Sequence, residues 1–282
     1  MVAEIHYRVG GGIGDVLHQT CVLKAMKHKF PDTPIKLYVE TAPNRINEIK
    51  ALHENNPYCD GFTKDHHFTF DCKNAPSIGV IYESMCQAFD LDVNLMESPI
   101  HLTEEEIQWA KDKLESMGLD TNKLIGIGER VRPKKVWHGY KELIQKLQVD
   151  GYHVIQLGKH KPPENETVPM LLARDLDMDI RKTIAIMSQC KAFVSIGSGL
   201  AIASYWLDVP LIGLWGGVAE AFWFTKEDME SNKVTILKGP CDLYCGGEQS
   251  PCQKGMDAFW TCMKISVEDV FNSIKEVVKL DN

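Results

Sequence analysis

The chain has 282 residues, 44% of them hydrophobic and 25% charged, with a formal net charge of −8. That length fits two domains of roughly 100–150 residues each, with enough apolar residues to build a core in both. The acidic balance argues against general nucleic-acid binding, which relies on a basic surface.

In chain order, the β-prone run Ile5–Val9 meets Gly10, Gly11, Gly12 and Gly14, and helical periodicity follows. This predicts a strand, a glycine turn and a helix start, with Asp15 in the first helical turn. The spacing misses the dinucleotide fingerprint, because G-x-G-x-x-G counted from Gly10 would need glycine at position 15. No Gly-Lys-Ser/Thr follows, so it is not a Walker loop either. Asp15 is either a helix-capping carboxylate or a reactive group at the mouth of a sheet.

Val16, Leu17, Cys21, Leu23 and Met26 put an apolar stripe on that helix, which is expected to end near Phe30-Pro31-Asp32. Pro34–Val39 reads as a second strand, completing a βαβ unit and the seed of a parallel sheet. A helix is expected over Asn44–His53. Over Asn55–Ala75 the pattern weakens and short strands and loops are expected, with His66-His67 as an exposed loop pair, and a helix is expected over Ser77–Phe89. Thr103 followed by Glu106 is a capping box opening a clear helix, and Gly118 stops it. The linker is expected at Gly118–Lys123.

A second α/β block follows. Strands are expected at Leu124–Gly128, Tyr152–Leu157, Ala192–Ile196, Leu211–Trp215 and Lys233–Lys238. Helices are expected at Gly139–Val149, Asp179–Cys190, Leu200–Leu207 and Ser266–Lys279, the last capped by Ser266. The apolar region 192–224 is broken by Gly, Ser, Asp208 and Pro210. It falls short of the about 20 continuous apolar residues of a spanning helix, so no transmembrane segment is expected. The chain opens on a core-like strand, so no secretory leader and a cytoplasmic location are expected. Two α/β halves with glycine at their strand ends predict a cleft between two nucleotide-binding-like layers.

Nine cysteines occur, an odd number. Cys21, Cys59, Cys72, Cys86 and Cys190 are scattered and read mostly as buried small hydrophobes. Cys241, Cys245, Cys252 and Cys262 are crowded among Gly, Pro and polar residues. Four thiolates there suit a tetrahedral structural Zn or Fe site. Reduced thiols or disulfides are the alternative readings.

Three segments together resemble the ADP-heptose–lipopolysaccharide heptosyltransferase family (glycosyltransferase family 9). They are Gly12–Thr20 with Leu23–Lys27; Arg132-Pro-Lys-Lys135-Val-Trp137; and Val194–Leu200 through Val209–Gly216. The resemblance implies a GT-B fold: two Rossmann-like domains facing a central cleft, here with a shortened N-terminal domain. It assigns 1–118 to the acceptor side. It assigns 119–282 to the nucleotide sugar, with the cysteine-rich segment 241–262 and a final helix.

It further implies an inverting transfer of a sugar, heptose from ADP-heptose, to an acceptor hydroxyl on a glycan or protein, with no catalytic metal. Asp15 matches the general base, beside Gly12 and Gly14. Lys135, with Arg132, matches the cation near the donor phosphates, and Ser198, Gly199 and Leu200 match the diphosphate loop. Gly197 and Ile202 stand where the family usually has Asp and His. The bare Ser-Gly-Leu loop and the cysteine cluster are also similar to heptosyltransferases that modify autotransporter adhesins. The alternative reading is a relative that binds a sugar nucleotide without transferring it.

Overall fold

The computed structural model describes residues 3–75, 80–128, 136–158, 171–172, 178–216, 220, 223–241 and 261–280. The chain divides into two compact units, Met1–Thr103 with Ala221–Thr225, and Glu104–Glu220 with Lys226–Asn282.

In the first unit, β1 (Ile5–Gly10), β2 (Ile35–Glu40) and β3 (Phe70–Asp71) form a parallel sheet in the order β2-β1-β3. The register pairs Ile5 with Ile35 and Tyr7 with both Leu37 and Phe70. Parallel strands need crossovers, which α1 (Ile13–Thr20), α2 (Leu23–Lys29) and α3 (Pro43–Leu52) supply, and α4 (Ile81–Phe89) follows β3. Ile5, Tyr7, Val9, Ile35 and Leu37 are buried on one face, while His6, Arg8, Lys36 and Tyr38 on the other are only half-buried. The single helix expected after the glycine turn is two. The Thr20 hydroxyl donates to the Val16 carbonyl at 2.8 Å, a bond that bends helices, and the chain turns at Cys21-Val22.

The second unit begins one helix earlier than the linker expected at 118–123. Its first element is α5 (Glu104–Ser116), which packs on α7 (Ile180–Met187). Arg181, 6% exposed, holds the Glu106 carboxylate with two nitrogens. Such a buried charge needs its partner, and this pairing ties α5 to the second unit.

Six parallel strands follow: β4 (Leu124–Gly128), β5 (His153–Gln156), β6 (Leu171–Leu172), β7 (Ala192–Ile196), β8 (Leu211–Trp215) and β9 (Val234–Lys238). Their spatial order is β6-β5-β4-β7-β8-β9. Renumbered within the unit this is 3-2-1-4-5-6, the dinucleotide-fold order. β4, β7 and β8 are buried at every residue, as strands covered on both faces are. The crossover helices are α6 (Tyr140–Val149), α7 and α8 (Gly199–Trp206), with the short α9 (Lys226–Glu230) before β9. α10 (Val267–Leu280) closes the unit, and the Ser266 hydroxyl accepts the Asp269 N–H as the sequence predicts. β3 lies in the Asn55–Ala75 stretch where short strands and loops are expected, whereas no sequence signal marks β6 or α9.

Candidate active site

In open parallel sheets, ligands bind outside the carboxyl ends of strands where the winding reverses. The first unit reverses at β1, whose carboxyl end carries the glycine turn and Asp15. Gly11 adopts φ +104°, and a Cβ there would stand 2.7 Å from Asp15 Oδ2, so the turn requires glycine twice over.

Asp15 is half-buried, and its Oδ2 accepts the Gly12 N–H at 2.6 Å. It therefore caps α1. Arg45 on α3 lies beside it, with Nη1 3.7 Å from the point where a Gly12 Cβ would stand. Gly14 is buried inside α1.

The turn's backbone groups are satisfied within the unit. Gly10 donates to Gln19 Oε1 at 2.8 Å and accepts from Gln19 Nε2 at 3.1 Å. Gly11 donates to the Glu40 carbonyl at 3.2 Å and accepts the Thr41 hydroxyl at 2.7 Å. Gly12 gives its N–H to Asp15 and accepts from the Val16 N–H at 3.1 Å. No N–H from Gly10 to Gly12 is left to cradle a phosphate.

Sequence reasoning missed Gln19, Thr41 and Tyr7. Tyr7 is fully buried, and its hydroxyl donates to the Gln19 carbonyl at 2.7 Å. Burial pushes that hydroxyl well above its usual range, so it stays a donor. The available signal was Gln19 standing one turn after Asp15, on the same side of α1.

The second unit reverses between β4 and β7. There the Ser195 hydroxyl donates to the Gly128 carbonyl at 3.1 Å and shares a 3.1 Å bond with the Ser198 hydroxyl. Ser198 caps α8, accepting the Ala201 N–H at 3.3 Å. The Ile202 N–H reaches the Ser198 carbonyl at 3.3 Å. The N–H groups of Gly199 and Leu200 have no acceptor among the described residues. They are half-exposed at a helix start that carries partial positive charge, the arrangement that binds anions. The glycine turn before α1 has thus spent its amides, and the start of α8 presents those of its first two residues.

The departures at 197 and 202 have physical correlates. A Cβ at Gly197 would press within 3.2–3.4 Å of the Trp215 ring. Ile202 is 2% exposed and belongs to the core. Trp137 is also core: 3% exposed, it donates its indole N–H to the Ile265 carbonyl at 2.9 Å and packs edge-on to Tyr140. Arg132 and Lys135 lie outside the described residues.

The expected four-thiolate metal site is not supported. Among the described residues no three His, Cys, Asp or Glu side chains gather as a metal-holding group. Cys245 and Cys252 lie outside the described residues, while Cys241 and Cys262 are half-buried and outside any disulfide. Gly239 donates to the Cys262 carbonyl at 3.1 Å, which holds the chain leading to Cys241 near Cys262. No described helix is long and apolar enough to cross a membrane.

Two parallel-sheet Rossmann-like units, one offering helix-start amides at its reversal point, define the GT-B class of glycosyltransferase fold. The family model for glycosyltransferase family 9 (heptosyltransferase) matches residues 78–244, and the chain belongs to that family. Solved structures agree on the fold. A family 9 glycosyl transferase from Veillonella parvula superposes with a TM-score of 0.74 at 14% identity, covering 99% of this chain and 98% of that one. The E. coli ADP-heptose lps heptosyltransferase II gives 0.64 at 14%, covering 99% of each chain. TibC, an iron-containing dodecameric heptosyltransferase of enterotoxigenic E. coli, was solved with ADP-D-beta-D-heptose. It gives 0.65 at 13%, covering 99% of this chain and 75% of that one. A search of curated protein sequences found no match.

Proposed function

We propose that the protein is an inverting glycosyltransferase that moves heptose from ADP-heptose to a hydroxyl of a glycan or protein acceptor. The observation that carries this reading is the division of labour between the two loops. Gly199 and Leu200 keep their N–H groups for a diphosphate, while the glycine turn spends its own within the first unit, that of Gly12 on the Asp15 carboxylate.

In the proposed step the acceptor oxygen attacks the anomeric carbon from the face opposite the diphosphate. The new C–O bond forms as the bond to the diphosphate oxygen breaks, and the hydroxyl proton passes to Asp15. Asp15 is a weak base at a helix start, which favours its ionised form, so proton transfer comes late, after bond formation has advanced. The diphosphate leaves with added negative charge, which the Gly199 and Leu200 amides stabilise with Lys135 and Arg132. Gly12, half-buried at the turn, lets the acceptor approach the chain closely, and Gly14 is buried in α1.

The four cysteines are proposed as ligands of a structural Zn or Fe. TibC is described as iron-containing, and a shell of four thiolates leaves no open position for catalysis. Protein purified without metal-affinity resin should carry near one Zn or Fe per chain, and stoichiometry near zero in reduced protein refutes the site.

A second reading, a sugar-nucleotide binder without transfer, is favoured by Trp215 occupying the room beside Gly197. ADP release from ADP-heptose separates the two. Asp15→Ala should lower it by about 10²–10⁴-fold without changing ADP affinity. Equal inertness of wild type and mutant, with ADP still bound, selects the second reading.

A further inference from the structure

We propose that Gln19 is a positioning residue for Asp15, and that its carboxamide is the clasp that gives the glycine turn one conformation. The inference rests on Asp15 being the base.

Glycine is the residue with the most backbone freedom to lose, so a Gly10-Gly11-Gly12 turn has no intrinsic preference for one path. Yet the Asp15 carboxylate is anchored on one point of that turn, the Gly12 N–H at 2.6 Å. Wherever Gly12 moves, the anchor moves with it. Gln19 grips the turn at its root by both polar ends of its amide, taking the Gly10 N–H on Oε1 and giving Nε2–H to the Gly10 carbonyl. A carboxamide is the side chain that can donate and accept in one plane.

Gln19 is itself fixed. Its side chain is nine-tenths buried, and its carbonyl accepts the hydroxyl of fully buried Tyr7. Glu40 and Thr41 then hold Gly11. The resulting path runs from Tyr7 to Gln19, to Gly10, to Gly12 and finally to the Asp15 carboxylate. Every link is a hydrogen bond or at most two peptide units. Gln19 touches no reacting atom in this scheme; its effect on chemistry passes entirely through Asp15.

Two measurements on the full-length protein test this. The first is independent of donor and acceptor: amide hydrogen exchange of wild type and Gln19→Met, which keeps the side chain's length and removes its polar ends. Gly11 and Gly12 should exchange about tenfold faster in the variant, with protection of β1 and β2 retained. Unchanged exchange at Gly11 and Gly12 overturns the proposal whatever the enzyme does. Thr41→Val, which removes only the bond to the Gly11 carbonyl, should give a smaller change at the same two amides. If Gln19→Met does not fold, Gln19→Glu, which keeps an acceptor for the Gly10 N–H and removes the donor to the Gly10 carbonyl, carries the same test at the same two amides.

The second is a double-mutant cycle on ADP release from ADP-heptose. Gln19→Met alone should lower kcat about ten- to hundredfold, the effect of a roughly 1 Å misplacement, with KM for the donor within about twofold. In the Asp15→Asn background the same change should alter kcat by less than about twofold, because the residue it acts through is already disabled. A structural role without positioning would multiply with Asp15→Asn or raise donor KM in parallel, and either result overturns the inference. Failure of the underlying assignment looks different: Asp15→Asn would then turn over donor as fast as wild type.

Discussion

The capping role of Asp15 and its proposed role as base are mutually compatible. As a cap it accepts the Gly12 N–H through Oδ2, which orients the carboxylate with the turn rather than with solvent. Gly11 is where that arrangement is most fragile. Replacing it with alanine adds the strain of a non-glycine residue at φ +104° and drives a methyl into the Asp15 carboxylate. The backbone strain alone is about 1–3 kcal/mol. Gly61, at φ +119° with nothing within 4 Å of its Cβ position, is the control. Gly61→Ala should lower the denaturation midpoint comparably and leave turnover intact. Gly11→Ala should lower turnover about 100-fold or more at similar stability. Equal turnover in the two variants would show that Asp15 does not need the turn.

At the scale of elements, α8 makes a sharper prediction than α1. Gly199 is the first helical residue, a position where proline is tolerated because its N–H has no helical acceptor. Ser198 before it, at φ −148° and ψ 167°, already has the extended conformation that a residue preceding proline adopts. Gly199→Pro therefore deletes one donor while keeping the helix. Isothermal titration with ADP should show Kd raised about tenfold, the worth of one hydrogen bond to a charged group. Unchanged affinity at unchanged melting temperature would move the diphosphate elsewhere.

Much of the element order was legible because periodicity and punctuation agree. β4, β7 and β8 are apolar runs with glycine or proline at or next to their ends, β1 alternates apolar and polar residues before the glycine turn, and α10 announces its cap in Ser266. The break between α1 and α2 was illegible because no glycine or proline marks it, only Thr20 bonding back to Val16. At the candidate site, local pattern placed Asp15 and the Ser198–Leu200 loop at helix starts, while the roles proposed for them come from the family resemblance. The Gln19 clasp was not readable, since a glutamine in a helix reads as solvated until the sheet places Gly10 under it. Ile202 and Trp137 were singled out by motif position, and burial shows that packing accounts for both residues.

At the scale of the whole molecule, the chain is not two domains in series. After β8 it contributes Ala221–Thr225 to the first unit before returning at Lys226. Nothing local predicts this, because Trp223 and Phe224 would be good core residues in either unit. Their neighbours decide it. The His18 ring on α1 is fully buried, with ring centroids 5.6 Å from Tyr82 of α4, 5.6 Å from Trp223 and 6.3 Å from Phe224. Phe224 is 1% exposed. The first unit's core is thus completed by a residue more than a hundred positions beyond Thr103, and residues 1–103 alone lack part of their own interior. Truncating a buried phenylalanine to alanine costs about 3–5 kcal/mol. That is a large share of the roughly 5–15 kcal/mol by which proteins are stable. Phe224→Ala should therefore lower the denaturation midpoint, and hydrogen exchange should locate the loss. Protection should fall in β1, α1 and α4 while β4, β7 and β8 keep theirs, although Phe224 follows β8 in sequence. Loss centred on β8 instead would assign the segment to the second unit and leave the first with a core built from residues 1–103 alone.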